Sequence, residues 1–576
     1  MLDRFRPKTV LKHIAVSCLF SSGLGASPVQ AADADYLFVN GKVYTQNDEQ
    51  PWTEAVAVQG NKIVYVGDNE GAKASTGQNT EIIDLEGRMV LPGLIDAHSH
   101  PIVAAGMSHM GFLDRSGTIE EWLKDIKAYA DSNPDMKSIL LSGFSVSAFG
   151  PEGPTKELLD AIIPDRPVVV IDDGFHAAWV NSKALELANI DKNTPDPLPG
   201  SHFYQRDKDG NPTGWCREQM TFFPMMEQLG AVSQETIISG AENVFPLYMS
   251  NGYTSVYDAG FSYFEGFAYP ALNILAENER LPFRIVTSHM VQGPHQLTKA
   301  VNTLQGYAEK YSSELVTPRV MKIVNDGTSE AYTAAQYEPY EDQHGHKGET
   351  NFNAELLKSF VIDVEKAGFD THIHTIGDRA VAEALDAYEA ADKAVSNKQS
   401  RRALAHVELV RDEDLERFGQ LNVISQTTPF WFANDGVLVQ GVLGEERAAK
   451  LYRFREVLNS GGKVTFGSDF PSTGDIAGMG PLINIEMGMT RKFAGVEDMP
   501  ATPPLNETLT LEQMIRGFTL DAAYQLGLSD KIGSLEVGKL ADITILDKNL
   551  FEIAPNQIHK VNVVMTMSNG RIVFQQ

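Results

Sequence analysis

The sequence predicts an α/β fold. A (β/α)8 TIM barrel should carry a composite β-sandwich built from both chain ends and a large α/β insertion after the first barrel strand. Three observations predict it. Eight strand-like apolar runs recur, with helix-patterned stretches between them. About 150 residues separate the first run from the second, far beyond an ordinary loop. Both ends carry short alternating strands broken at N-G and G-N turns.

The elements follow in order. Residues 1–31 read as an export signal. Arg4, Arg6, Lys8 and Lys12 are its basic segment, IAVSCLFSSGLGA its apolar segment, and Val29, Gln30 and Ala31 its cleavage end. That run is too short for a membrane span, and no later segment reaches about 18 apolar residues. The expected location is periplasmic or secreted. Residues 32–90 (YLFVNGKVYT, AVAVQGNKIVYVG, TEIIDLEG) should form the first part of the sandwich.

Residues 91–528 should form the barrel. Its eight runs are LPGLIDAHSH, YTSVYDAG (253–260), FRIVTSHM (283–290), RVMKIVNDG (319–327), FDTHIHTIGD (369–378), RRALAHVEL (401–409), NVISQTTP (422–429) and KVTFGSDFP (463–471). Stretches such as NAELLKSFVIDVEKAG supply the helices, and eight β–α units suffice to close a parallel barrel. An open α/β sheet is the alternative. The insertion, about 113–245, has its own strand-like RPVVVIDD and a D-G-N hairpin signal. Residues 529–576 (IGSLEVGKLADITILD, VVMTMSNGRIVFQ) should complete the sandwich.

Composition narrows the function classes. The 576 residues are 43% hydrophobic and 22% charged, as in a soluble globular protein. A net charge of -28 argues against nucleic acid or an anionic membrane as partner. A small-molecule substrate is expected, and a homodimer is left open. The two cysteines are Cys18 and Cys216. Signal cleavage removes the first, which excludes an internal disulfide and a thiolate metal cluster. A metal site must then use His, carboxylates or lysine.

The first run ends in His98 and His100. On a strand, residues two apart share a face, so both imidazoles point one way and make half of a divalent-metal site. The fifth run ends in His374, the sixth in His406 and the eighth in Asp469, while the fourth carries Lys322. Residues at the C-terminal ends of barrel strands converge on one mouth. A lone histidine inside a barrel is more often a hydrogen-bonded core group. Five such residues at the same end of their strands point instead to Zn²⁺ or a similar divalent ion.

LPGLIDAHSHP, HTIGDRAV, AHVEL, GSDFP and IGSLEVGKLADITILD resemble the amidohydrolase superfamily of metal-dependent hydrolases. DGFHAAWVNSKALELANI, TPDPLPG and VMKIVNDG resemble more closely its amidohydrolase-3, YtcJ-like branch. The resemblance implies a (β/α)8 barrel with a composite sandwich and hydrolysis of an amide-type, non-peptide C–N bond. It places metal ligands at His98, His100, His374, His406 and Asp469. Phe175 separates Gly174 from His176 where the family reads D-G-H.

An ion at such a site lowers the pKa of bound water from about 15.7 towards 7. Asp469 is the catalytic candidate that takes the water's proton and passes it to the leaving nitrogen. In some branches of the superfamily a lysine at the position of Lys322 is carboxylated and bridges two metals. One or two ions are expected, two if Lys322 is so modified. Otherwise Lys322 is an ammonium that pairs with Asp326 or binds substrate. His176, Trp179 and Asp326 are the substrate-binding candidates. The insertion's aromatics (Phe144, Phe149, Phe175, Trp179, Phe203, Trp215) point to an apolar N-acyl or N-aryl group, or N-formyl as the acyl part. His372 shares the face of His374 one layer deeper, and nothing pins His109 or His289. A ring-amidine deaminase would use similar ligands. It usually has a glutamate after the fifth-strand histidine, where this chain reads TIGDRA. A metal-free binding or regulatory protein would need broken ligands, and none is broken.

Overall fold

The computed structural model describes residues 33–576 apart from 344, 397–398, 433–438, 473–475 and 497. The expected export signal lies outside the described residues. The eight apolar runs form eight strands: β1 (Leu94–Ser99), β2 (Tyr253–Asp258), β3 (Arg284–Val291), β4 (Val316–Val324), β5 (Asp370–Thr375), β6 (Arg402–His406), β7 (Val423–Thr427) and β8 (Lys463–Phe466). They lie in one sheet in sequence order, with every adjacent ladder parallel. All eight are buried along most of their length. Arg284–Val291 and Val316–Val324 are rich in Val and Ile, as strands covered on both faces tend to be, while Tyr253–Asp258, Asp370–Thr375 and Val423–Thr427 carry more polar side chains.

The sheet is nearly closed. Where β1 and β8 meet, the backbone just past β8 bridges the seam. Asp469 N donates to His98 O at 2.8 Å, and His100 N donates to Phe470 O at 2.8 Å. Gly467 allows this approach, since a Cβ there would lie 2.4 Å from His98 N. The helix Ala354–Lys366 shows how the outer layer forms. Asn353 caps it by accepting from Leu356 N, and Leu357, Phe360, Val361 and Val364 are its buried stripe.

Between β1 and β2 lies a second sheet of six strands, including Ile139–Phe144, Val168–Asp172, Ala177–Val180 and Pro212–Arg217. Its outer face has an aromatic core containing Trp122, Phe144, Trp179 and Trp215. The chain ends build two more sheets. One has four strands, all from residues before 85. The other, of six, pairs Met89–Pro92 antiparallel with Ile543–Leu546, joining the two ends. Among the described residues no helix is long and apolar enough to cross a membrane.

Candidate active site

Polar side chains gather where β1, β4, β5, β6 and β8 end. His98 is 1% exposed. Its Nδ1–H donates to Gln426 Oε1 at 2.7 Å, and Gln426 Nε2 donates to Thr427 O at 3.0 Å, which aims the amide oxygen at the ring. His98 Nε2 is left facing Asp469 Oδ1 at 3.5 Å. His100 Nδ1 donates to Gly260 O at 3.0 Å, leaving Nε2 at 3.4 Å from Asp469 Oδ1. His374 Nδ1 donates to Asp326 Oδ1 at 3.1 Å. Three imidazoles thus have one nitrogen tied to an acceptor and the other available, the arrangement that orients metal-binding histidines.

His406 differs. Its Nδ1 is buried with no hydrogen-bond partner and lies 3.9 Å from Asp469 Oδ2. Leaving such a group unsatisfied costs about 1–3 kcal/mol, a cost that coordination would offset. One donor atom from each of His98, His406 and Asp469 lies within 4.8 Å of the others. The His374 and His406 ring centres are 4.6 Å apart. Backbone geometry marks the same place, with His406, Val407 and Asp469 at φ of 73°, 48° and 51°. For residues with a Cβ these left-handed conformations are strained by about 1–3 kcal/mol each.

The electrostatics suit a cation. Burial, reinforced by neighbouring cationic groups including Lys322, holds His98, His372, His374 and His406 well below the ordinary imidazole range, so each is neutral with a lone pair to give. His100 is shifted the other way. Burial opposes its charge, but Asp469 and Asp258 outweigh it. Lys322 is 2% exposed, and burial pulls its amine down to about 7. A set of imidazoles and one carboxylate without thiolate fits Zn²⁺ or a similar divalent ion.

His176, on the insertion, lines the same cavity as His98, His100, Lys322, His374, His406 and Asp469. Its ring centre is 5.5 Å from that of His374. Its Nδ1 lies 2.6 Å from Glu218 Oε2. Burial works against both charges, yet the pair's attraction prevails, raising His176 to about 9 and lowering Glu218 to about 2. Phe175, the extra residue before it, sits at φ 62°.

Two substrate-binding expectations are corrected. Trp179 does not reach the cavity. Strand residues alternate between faces, so Ala178 and Val180 pack into the barrel's core while Ala177 and Trp179 pack into the insertion's own core. The Trp179 indole N–H donates to Thr155 O at 2.7 Å. Asp326 is fully buried. It accepts backbone N–H groups of Ala335, Ile376 and Gly377 at 3.1, 3.1 and 2.8 Å besides His374, so it orients the His374 ring and has no face for substrate. The insertion's aromatics do not line the cavity. Its apolar wall is Trp431, Met290, Val324 and Ile376.

His372 lies beneath His98, with Nε2 3.0 Å from His98 Nδ1. His289 is paired with Glu265 at 2.8 Å, and His109 lines a different hollow. Gln426, Glu218 and Trp431 were missed. Gln426 left a signal, an amide in the polar second half of β7, VISQT. Glu218 and Trp431 left none.

A model of the amidohydrolase family matches residues 81–574. The exoenzymes regulatory protein AepA of Pectobacterium carotovorum subsp. carotovorum is 36% identical over 408 residues, covering 69% of this chain and 86% of its own. The N-substituted formamide deformylase of Arthrobacter pascens is 26% identical over 558 residues, 94% of this chain and 98% of its own. Among solved structures, an uncharacterized metal-dependent hydrolase from Pyrococcus furiosus shares 27% identity with a TM-score of 0.66, covering 89% of this chain and 99% of its own.

Proposed function

The chain belongs to the amidohydrolase family, and from that premise we propose that it is an exported, metal-dependent hydrolase of a small-molecule amide-type C–N bond, N-formyl or N-acyl. One observation carries the reading: His98, His100 and His374 each have one ring nitrogen tied back and the other available, around an Asp469 that lies 3.4–3.9 Å from His98, His100 and His406. His98, His100, His374, His406 and Asp469 would hold the ion, zinc by donor type. Lys322 would bridge a second ion if carboxylated. Its burial favours the neutral amine that carboxylation requires. A bound ion supplies an acidified water and polarisation of a carbonyl.

The chain's own residues do the rest. Asp469 accepts a proton from the attacking water and returns it to the leaving nitrogen. His176 meets the substrate from the insertion side. Trp431, whose ring centre is 5.2 Å from that of His406, supports an apolar substituent on the amide. The deformylase relative supports the N-formyl class. The expected boundaries are kept: 32–90 and 529–576 for one composite sandwich, 91–528 for the barrel. Phe38 and Val56 of the four-stranded end sheet share a buried cluster with Val90 and Ile543 of the six-stranded one, which supports the sandwich.

A second reading, a non-catalytic regulatory protein, is favoured by the name of the AepA relative; the unbroken ligand set weighs against it. The test is a panel of N-formyl, N-acetyl and N-acylamino-acid compounds offered to the zinc-loaded and the chelator-treated chain. Turnover of at least one class that chelation abolishes is expected. Failure of every class would favour the regulatory reading.

A further inference from the structure

Beside the barrel mouth lies a buried carboxylate that the proposed chemistry does not use. Glu218 follows the strand Pro212–Arg217 and is 1% exposed. Its Oε2 accepts from His176 Nδ1 at 2.6 Å, and its Oε1 accepts the Thr333 hydroxyl at 2.5 Å. The backbone joins the same residues, with Glu218 N donating to His176 O at 2.7 Å. Across the turn, Asp172 Oδ1 accepts His176 N at 2.9 Å.

This arrangement is built at a cost. Glu218 sits at φ 68°, a strain of about 1–3 kcal/mol for a residue with a side chain. Gly327 is needed beside it, because a Cβ there would lie 2.3 Å from Glu218 Oε1 and 2.1 Å from Thr333 Oγ1. Burying a carboxylate is itself unfavourable unless every oxygen is matched. The outcome is a ring on the cavity wall whose Nδ1 is committed. Nε2 is its remaining polar edge, and the ring lies beside His374.

We propose that Glu218 is a positioning residue: it fixes the His176 imidazole so that the Nε2 edge meets the scissile group of the substrate. The proposal rests on the hydrolase reading above. Thr333 and Gly327 hold Glu218 itself. Orientation of a contacting group matters steeply for rate, because a misplaced ring loses the near-attack geometry.

The test uses the zinc-loaded full chain with N-phenylformamide as probe. Glu218→Gln should lower kcat roughly 10–100-fold with KM changed less than about twofold, at unchanged zinc content. The loss should vanish when the same change is made in a His176→Ala background. Thr333→Val should act in the same direction, more weakly, with the same dependence on His176. In ¹⁵N-histidine-labelled protein, NMR should show a downfield His176 Nδ1–H resonance that Glu218→Gln removes. An equal loss of kcat with and without His176, or a fall in thermal stability with kcat intact, would overturn the proposal. If the wild type turns over no amide, the hydrolase reading fails by itself. The NMR arm then decides Glu218 alone: an unmoved His176 resonance in Glu218→Gln refutes its hold on the ring.

Discussion

Two buried clusters lie on opposite faces of the strand Ala177–Val180, and they treat polar atoms differently. On the outer face is the insertion's aromatic core. Trp122 Nε1 donates to Asp114 O at 2.6 Å and Trp179 Nε1 to Thr155 O at 2.7 Å. The Trp215 indole N–H is the exception, and the Arg217 guanidinium lies 4.1 Å over its ring. On the inner face Ala178 and Val180 join the main core, and His176, just before the strand, lines the barrel mouth. There His406 Nδ1 has no partner, Lys322 is buried, and three consecutive-in-space residues, His406, Val407 and Asp469, are held left-handed. The outer cluster is arranged as a folded core requires. The inner one departs from those rules, and such departures gather where a protein does chemistry. Burial alone therefore says little about role, since both clusters hold an unpartnered polar atom; what distinguishes the inner one is its buried lysine, its left-handed backbone and its imidazole nitrogens left open towards Asp469.

The largest effect should come from the inner cluster. His98→Ala should abolish turnover together with metal content, while His372→Ala keeps most of both, measured by elemental analysis alongside hydrolysis. If His372→Ala strips the metal and His98→Ala does not, the inward register has been read one layer off. Next comes Asp469→Asn, which keeps the size and some ligand capacity but removes the base. It should retain metal and hydrolyse at least about a hundredfold more slowly. Parallel loss of metal and rate would make Asp469 chiefly a ligand. Gln426→Ala should be milder, weakening zinc roughly 10–100-fold by freeing the His98 ring, as read by competition with a chromophoric chelator. Unchanged affinity would remove Gln426 from the site. Trp179→Ala belongs to the outer cluster. It should cost about 3–5 kcal/mol in chemical denaturation and leave KM and metal content of the folded fraction alone. A raised KM with intact stability would erase the distinction between the two faces.

The barrel and the gathering of His98, His100, His374, His406 and Asp469 at one mouth were legible for one reason. Short strand-like runs alternate with helix-patterned stretches, so a histidine or aspartate at the end of such a run can be placed, and alternation puts His98 and His100 on one side. The insertion was harder. His176 and Trp179 are three residues apart and therefore on opposite faces, but the sequence does not say which face of Ala177–Val180 meets the barrel. Trp179 looked like a cavity wall and is core. Asp326 stood near the end of its run as a candidate partner for Lys322 or for substrate. Only the folded chain brings Ala335, Ile376 and Gly377 to it. Glu218 was invisible because its partner lies 42 residues away, just before a neighbouring strand.

His406 Nδ1 is left without a protein partner, and the free nitrogens of His98 and His100 face Asp469, as a divalent ion at the barrel mouth would require. Elemental analysis of the wild-type chain, purified in zinc-supplemented buffer without chelator, decides whether such an ion is there. Between one and two divalent ions per chain are expected, lost in His98→Ala. A stoichiometry near zero in the wild type would contradict that expectation.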